Sequence, residues 1–279
     1  MSAATRLTDR ATLMRHRSRA AWQPAFFLHE EAADEIKERL AEVNKSFTSP
    51  ALIGHISPTL AKLFPDVAIT EDTPELALAH AAHDLVIHSF GLHWADDPVG
   101  QLVQSRLALQ PDGLFLGVMF GGTSLQELRA CLAEVETRHF DGLSPRVLPM
   151  ADLRDLGGLL QRAGFALPVA DSRKLKVRYK TVSQLVRDLR GMGETNALAT
   201  RHKTHVGREF WRDVEALYRS NFSDKDGFLT ATFELVYLTG WCPSETQQKP
   251  LRPGSAKSRL ADALGVAETS LPISPRDTR

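Results

Sequence analysis

Cysteine is scarce. Only Cys131 and Cys242 occur in 279 residues. Neither belongs to a CxxC pair, and no cluster of His and Cys has metal-ligand spacing, so neither a disulfide framework nor a zinc site is expected. Both read as reduced thiols packed as small apolar groups in a cytoplasmic protein. A surplus of one charge is also lacking: 34 basic and 34 acidic side chains cancel. Nothing global therefore points to nucleic acid or to an anionic membrane as partner. No apolar run reaches the length of a membrane span. The N-terminus carries Arg6, Arg10, Arg15, Arg17 and Arg19 against Asp9. It has no apolar h-region, which excludes a secretory signal and leaves either an organelle transit peptide or a solvated first helix. Internal repeats are missing, as is any Ser-His-Asp or Cys-His arrangement.

What is present is an ordinary globular composition, 43% hydrophobic and 24% charged, in a chain long enough to bury a substantial core. Acidic residues crowd the start of HEEAADEIKERLAEV, where a helix macrodipole favours them. Ile36, Leu40 and Val43 form its apolar stripe. Short apolar runs then alternate with helical stretches. Residues 51–54, 67–70, 85–89 and 114–120 read as strands, 97–110 as a helix. Ser57-Pro58 reads as an N-cap and first helical residue, and Thr73-Pro74 repeats the signature before a segment that is either helix or loop. Later stretches read as helices from 123 and through DLRDLGGLLQRAGF. A half-exposed strand follows at 174–179, then helices over 181–190 and around Val206–Leu217, and a last strand at 231–238. The alternation indicates βα units and a mainly parallel sheet. The expected domains are a helical extension (1–45), a main domain (46–241) with a helical insertion at about 181–225, and a mostly disordered Pro-, Ser- and Arg-rich tail (242–279).

The run HDLVIHSFGLHWADDPVGQLVQSRLALQPDGLFLGVMFGG resembles a unit of class I methyltransferases: a strand, a cofactor-facing loop, a helix, a Pro-Asp-Gly turn and the next strand. With SPRVLPMADLRDLGGLLQRAGF, RDLRGMGETNAL, ATFELVYLTGW and RAAW…FFLHEEAADEI, the chain resembles the methyltransferase-like assembly-factor family of respiratory complex I. That family is related to the biotin-pathway methyltransferase acting on malonyl-acyl carrier protein. The resemblance covers about residues 13 to 254. It implies an α/β, class I methyltransferase-like (Rossmann-like), mostly parallel sheet with helices on both faces and S-adenosylmethionine as cofactor. It also implies action during assembly of NADH dehydrogenase, one of whose subunits would be the protein substrate.

One stretch departs from the family. The first βα turn should read acidic-Gly-x-Gly-x-Gly, so that backbone can approach the cofactor closely. Here it reads Ala51-Leu52-Ile53-Gly54-His55-Ile56-Ser57, retaining Gly54 alone. Only about thirty residues separate the first strand from Asp84, so the first βαβ portion is shortened by a whole unit. The strand before Glu71 then stands for either the family's second or its third. In the former case the adenine-side loop is lost, in the latter the ribose carboxylate.

The candidate cofactor contacts are Gly54, Glu71, Asp72, Ser89 and Trp94. Each has a plainer reading: a strand-end glycine, solvated turn acids, a strand-end hydroxyl, a capping aromatic. The candidate substrate contacts are His93, Asp96, Asp97 and Glu194. His93 could orient a substrate or be a hydrogen-bonded loop histidine. Asp96 and Asp97 suit a guanidinium, or cap the helix starting at Pro98. Glu194 in GMGETN belongs either to a substrate loop or to a connector. His88, inside its strand, reads as a core histidine. No residue stands out as a catalyst.

Overall fold

The computed structural model describes residues 6–22, 24–140, 142–247 and 265. Met1–Ser244 form one compact unit, described below, and Glu245–Arg279 a second. The expected disordered tail lies almost wholly outside the described residues.

Alternating apolar residues build the sheet. Its strands are β1 (Pro50–Gly54), β2 (Ile69–Thr70), β3 (His83–Ser89), β4 (Leu109–Phe120), β5 (Ala166–Tyr179) and β6 (Leu229–Trp241). Their order is β2-β1-β3-β4-β6-β5. The first three pairings are parallel, and β6 runs antiparallel to both β4 and β5. Successive side chains of a strand point to opposite faces, and both faces are covered. Leu52, Leu85, Ile87, Leu114 and Leu116 face one cluster, while Ala51, Ile53, Val86 and Phe115 face another.

The helices are α1 (Arg10–Ala20), α2 (Phe27–Glu42), α3 (Pro58–Leu63), α4 (Pro98–Ala108), α5 (Gln126–Phe140), α6 (Leu153–Arg162), α7 (Val182–Gly191) and α8 (Arg208–Phe222). Helices α2, α5, α7 and α8 supply the first cluster, and α4 and α6 the second. Local chemistry sets several starts. The Ser57 hydroxyl accepts from Leu60 N ahead of Pro58, and the Asp97 carboxylate accepts from Gly100 N ahead of Pro98. Each satisfies a donor the helix leaves orphaned and precedes a proline that needs no partner.

The segment after Thr73-Pro74, expected as helix or loop, is loop: the Thr73 hydroxyl bonds the Glu75 carbonyl and Leu76 N donates to the Gln104 side chain, which holds 73–82 in place. The strand at 174–179 extends back to Ala166, because β6 offers it a partner along its whole length. Helix α2 of the N-terminal extension packs into the main domain. Leu28, Ala32, Ala33 and Ile36 of α2 are fully buried in the main core.

Sheet order also decides what was shortened. β2 pairs directly with β1 and forms the sheet edge. It therefore takes the place of the family's second strand, and the missing unit is the one that would lie beyond it. Glu71 and Asp72, the acids proposed for a ribose, follow β2 at this edge.

Candidate functional site: a filled cofactor place and an open cavity beside it

Ligands of open α/β sheets bind beyond the carboxyl ends of the parallel strands. At the ends of β1, β2 and β3 that place is packed with the chain's own side chains. Arg17 reaches in from α1. Its Nη1 donates to Oδ1 of Asp72 at 2.9 Å and its Nη2 to the Phe90 carbonyl at 2.8 Å. Arg10 adds a second guanidinium, with Nη2 3.0 Å from the same Asp72 oxygen. Burial would raise the Asp72 pKa, but Arg17 and Arg10 outweigh it and hold the carboxyl far below its usual range. Asp72 keeps 1% of its surface exposed and Ser89 2%. The Ser89 hydroxyl is spent on the His55 carbonyl.

Aromatic rings fill what remains. His29 of α2 lies 4.0 Å from Phe90, centroid to centroid, and 5.1 Å from His55, which also meets Phe26. Gly54 is in the left-handed region (φ +94), and a Cβ there would stand 2.3 Å from the Ser89 carbonyl oxygen. That glycine serves chain packing between β1 and the end of β3. S-adenosylmethionine does not fit these residues as they stand. The carboxylate for its ribose is neutralised by two arginines, and the turn that should admit it carries His55 and Ile56. Among the proposed cofactor contacts, Gly54, Asp72 and Ser89 are engaged with protein. Glu71 is exposed.

Trp94, assigned to the cofactor, belongs elsewhere. It ends a single 3-10 turn, Leu92–Trp94. Its Nε1 donates to Oε2 of Glu194 at 2.7 Å, and His93 Nε2 lies 3.0 Å from the same oxygen. Residues a hundred positions apart thus meet at one carboxylate. Burial would raise the Glu194 pKa. The charge and hydrogen bond of His93, with Arg17 behind, lower it instead to about 2. Its Oε1 is buried without a hydrogen-bond partner.

The two aspartates proposed for a cationic substrate are used by the chain. Asp96 accepts from Leu7 N and Thr8 N, tying the N-terminus down, and Asp97 caps α4. Each thus spends its Oδ1 on backbone donors, the helix-capping role weighed for the pair holding for Asp97. His88 is buried, with Nε2 2.9 Å from Gln101 Oε1. Burial foremost lowers its pKa to about 4. Burial likewise pushes the Cys131 thiol up to about 11, which excludes it as a nucleophile at neutral pH.

Trp94 and Glu194 also line a cavity of about 550 Å³ at the end of β4. Phe120, Leu125, Leu128, Leu132 and Phe233 form its apolar side, and α1, α7 and the loop after α7 bring basic side chains to it. Apart from Trp94 and Glu194, the residues of this cavity were not singled out in the sequence. The signal was the arginine spacing of α1, where Arg15 and Arg19 lie one turn apart on a single face.

The sheet, with helices on both faces and its parallel strand ends at the filled place, defines a class I methyltransferase-like, Rossmann-like protein. No family model matches the chain. Among curated proteins it is 32% identical over 296 residues to "Arginine-hydroxylase NDUFAF5, mitochondrial" of Rattus norvegicus, covering 95% of this chain and 86% of the relative. It is 34% identical over 186 residues to "Malonyl-[acyl-carrier protein] O-methyltransferase" of Laribacter hongkongensis, covering 67% of this chain and 60% of that one. A putative methyltransferase from Bacillus halodurans, solved by crystallography, aligns at a TM-score of 0.49 and 13% identity over 74% of this chain and 97% of its own. The chain belongs to the NDUFAF5 family, the methyltransferase-like assembly factors of respiratory complex I. The expectation of a cytoplasmic protein is corrected by these relatives, which are named as mitochondrial. Neutral charge and reduced thiols do not distinguish a cytosol from a mitochondrial matrix, so composition was no guide. No helix of the described residues is long and apolar enough to cross a membrane.

Proposed function

We propose that this chain acts in the assembly of respiratory complex I as a binding module. In this reading the family fold is kept, S-adenosylmethionine is not bound, and a subunit of NADH dehydrogenase is the partner. The observation that carries it is the Arg17–Asp72 pair. Its side chains are 7% and 2% exposed. It puts a cation of the protein where the cofactor's ribose would need a free carboxylate. Admitting the cofactor would leave two guanidinium groups to find new partners, and separating a buried ion pair costs about 3–5 kcal/mol. The relatives' names support action in mitochondria, on the side of complex I assembly. The hydroxylation in the rat relative's name and the methyl transfer in the Laribacter relative's name stay with those proteins.

The test has two arms. Calorimetric titration of the purified chain with S-adenosylmethionine and S-adenosylhomocysteine at millimolar concentration is expected to give no binding heat. In cells deprived of the chain, assembled complex I on a native gel is expected to fall, and to return with the wild-type chain. Micromolar cofactor binding would replace the module by a working transferase. An unchanged amount of complex I would remove the assembly role.

A further inference from the structure

The cavity at the end of β4 has a charge pattern that neither the fold nor the pairings account for. Six cationic side chains line it: Arg15, Arg19, Arg146, Arg190, Arg201 and Lys203. Glu194 is the one carboxylate among its lining residues, and it is already shared by His93 and Trp94. Arg146 is paired with Glu136 at 2.8 Å and Arg201 with Asp9 at 2.9 Å. Arg15, Arg19, Arg190 and Lys203 have no carboxylate within ion-pair distance among the described residues. Like charges held around one opening repel, and low-dielectric walls focus the field they make. The same lining includes an apolar set, Phe120, Leu125, Leu128, Leu132 and Phe233.

We propose that this cavity binds an amphiphilic anion: a small molecule with a carboxylate or phosphate head and an apolar body. The body would lie against the leucines and Phe233. The head would sit among Arg15 and Arg19 of α1, Arg190 of α7 and Lys203. The volume is in the range of small-molecule sites, about 300–1,000 Å³. An apolar lining with a few convergent polar groups is their usual form. Guanidinium groups are well matched to carboxylate and phosphate geometry. The buried, unpartnered Oε1 of Glu194 marks a place for a hydroxyl or amide donor on the same ligand. A guanidinium ligand is disfavoured by the same pattern, since it would enter among six cations.

Two neighbouring facts agree with an anion. His16 lies on the lining. Burial first, then Arg19, Arg201 and Arg15, lower its pKa against a hydrogen bond with the Asn196 backbone, which marks the surroundings as cationic. The helices that fill the cofactor place are also continuous with this site, because Arg17 points one way from α1 and Arg15 and Arg19 line the other opening. The inference rests on the reading above in one respect: with the cofactor place filled, this cavity offers an open volume at the end of β4.

The test uses the full-length chain and four probes below their aggregation limits: decanoate, decyl phosphate, decanol and decyltrimethylammonium. Saturable calorimetric binding of decanoate or decyl phosphate is expected, with decanol at least about tenfold weaker and the cation not bound. Which anion binds tighter separates a carboxylate from a phosphate source. Arg19→Glu with Arg190→Glu, both exposed, is expected to weaken the anion about tenfold or more, while Lys62→Glu on α3 leaves it unchanged. Circular dichroism of the double variant confirms that it is folded. Equal binding of decanol, or anion binding indifferent to the double reversal, overturns the proposal. So does an acidic peptide that binds where neither decyl anion does, which would make the cavity a protein-docking site. The cofactor titration fails or succeeds independently, because it reads Asp72 and not this cavity.

Discussion

Arg17 of α1 places its guanidinium between the Asp72 carboxylate and the Phe90 carbonyl, bonding both at under 3 Å. A side chain from the N-terminal segment thereby bridges the ends of β2 and β3, where a member of this family would otherwise meet a cofactor. The bridge has an energetic consequence. Asp72→Asn leaves Arg10 and Arg17 without their counter-charge in a buried setting, so a loss of about 3–5 kcal/mol is expected. Urea unfolding at pH 7 measures it. A change below 1 kcal/mol, on the order of an exposed pair, would mean that the pair is open to water.

His29 makes the opposite prediction. Both of its ring nitrogens are buried without a partner, against Phe90 and His55. Burial foremost, with His55, Arg17 and His93 nearby and Glu194 opposing, lowers its pKa to about 3. His29→Phe removes two unsatisfied polar atoms, whose burial costs about 1–3 kcal/mol. The substitution is expected to be neutral or stabilising in thermal unfolding at pH 7. A loss of more than about 2 kcal/mol would show that the imidazole has a polar partner.

The sign of the pH dependence follows from the same groups. His29 and His88 are neutral in the fold, with pKa values of about 3 and about 4, whereas an unfolded imidazole gains a proton near 6.5. Below 6.5 the unfolded chain binds more protons, so stability falls as pH drops toward 4. Glu194 adds a second loss. Its contribution is complete above its unfolded value of 4.5 and disappears as pH falls through about 2. Denaturant midpoints at pH 7, 6, 5 and 4 should fall steadily, and His29→Phe should flatten the curve between 6.5 and 4. A flat wild-type profile contradicts this.

Gly54 tests the turn after β1. Any side chain there adopts a left-handed backbone and meets the Ser89 carbonyl oxygen at 2.3 Å. Gly54→Ala is expected to cost at least about 1–3 kcal/mol, read as a lowered melting temperature. An unchanged melting temperature would mean that this turn is looser than described.

Much of the scaffold was legible in the sequence because local chemistry and pattern agreed. Ser57-Pro58 and Asp97-Pro98 marked real helix starts, and the runs at 51–54, 85–89 and 114–120 are buried strands of the parallel part. The same cap signature at Thr73-Pro74 left helix and loop open, and Gln104, twenty-eight residues from Leu76, decides for loop by taking the Leu76 N–H. The erosion of the first βα turn was visible residue by residue. What fills the space was not, since Arg17 and His29 reach it only after α1 and α2 pack on the sheet. His93, Trp94 and Glu194 were each singled out, but their meeting at one oxygen depends on the loop after α7 folding back over the strand ends.

The central claim is that α1 and α2 occupy the cofactor place as part of the folded core. Amide hydrogen exchange of Arg10–Ala20 and of the turn after β1, with and without millimolar S-adenosylhomocysteine, tests it most directly. Slow exchange is expected in α1, comparable to the central strands and unaltered by the ligand. Fast exchange in α1, or ligand-induced protection around Gly54 and Asp72, would contradict it and return the site to the cofactor.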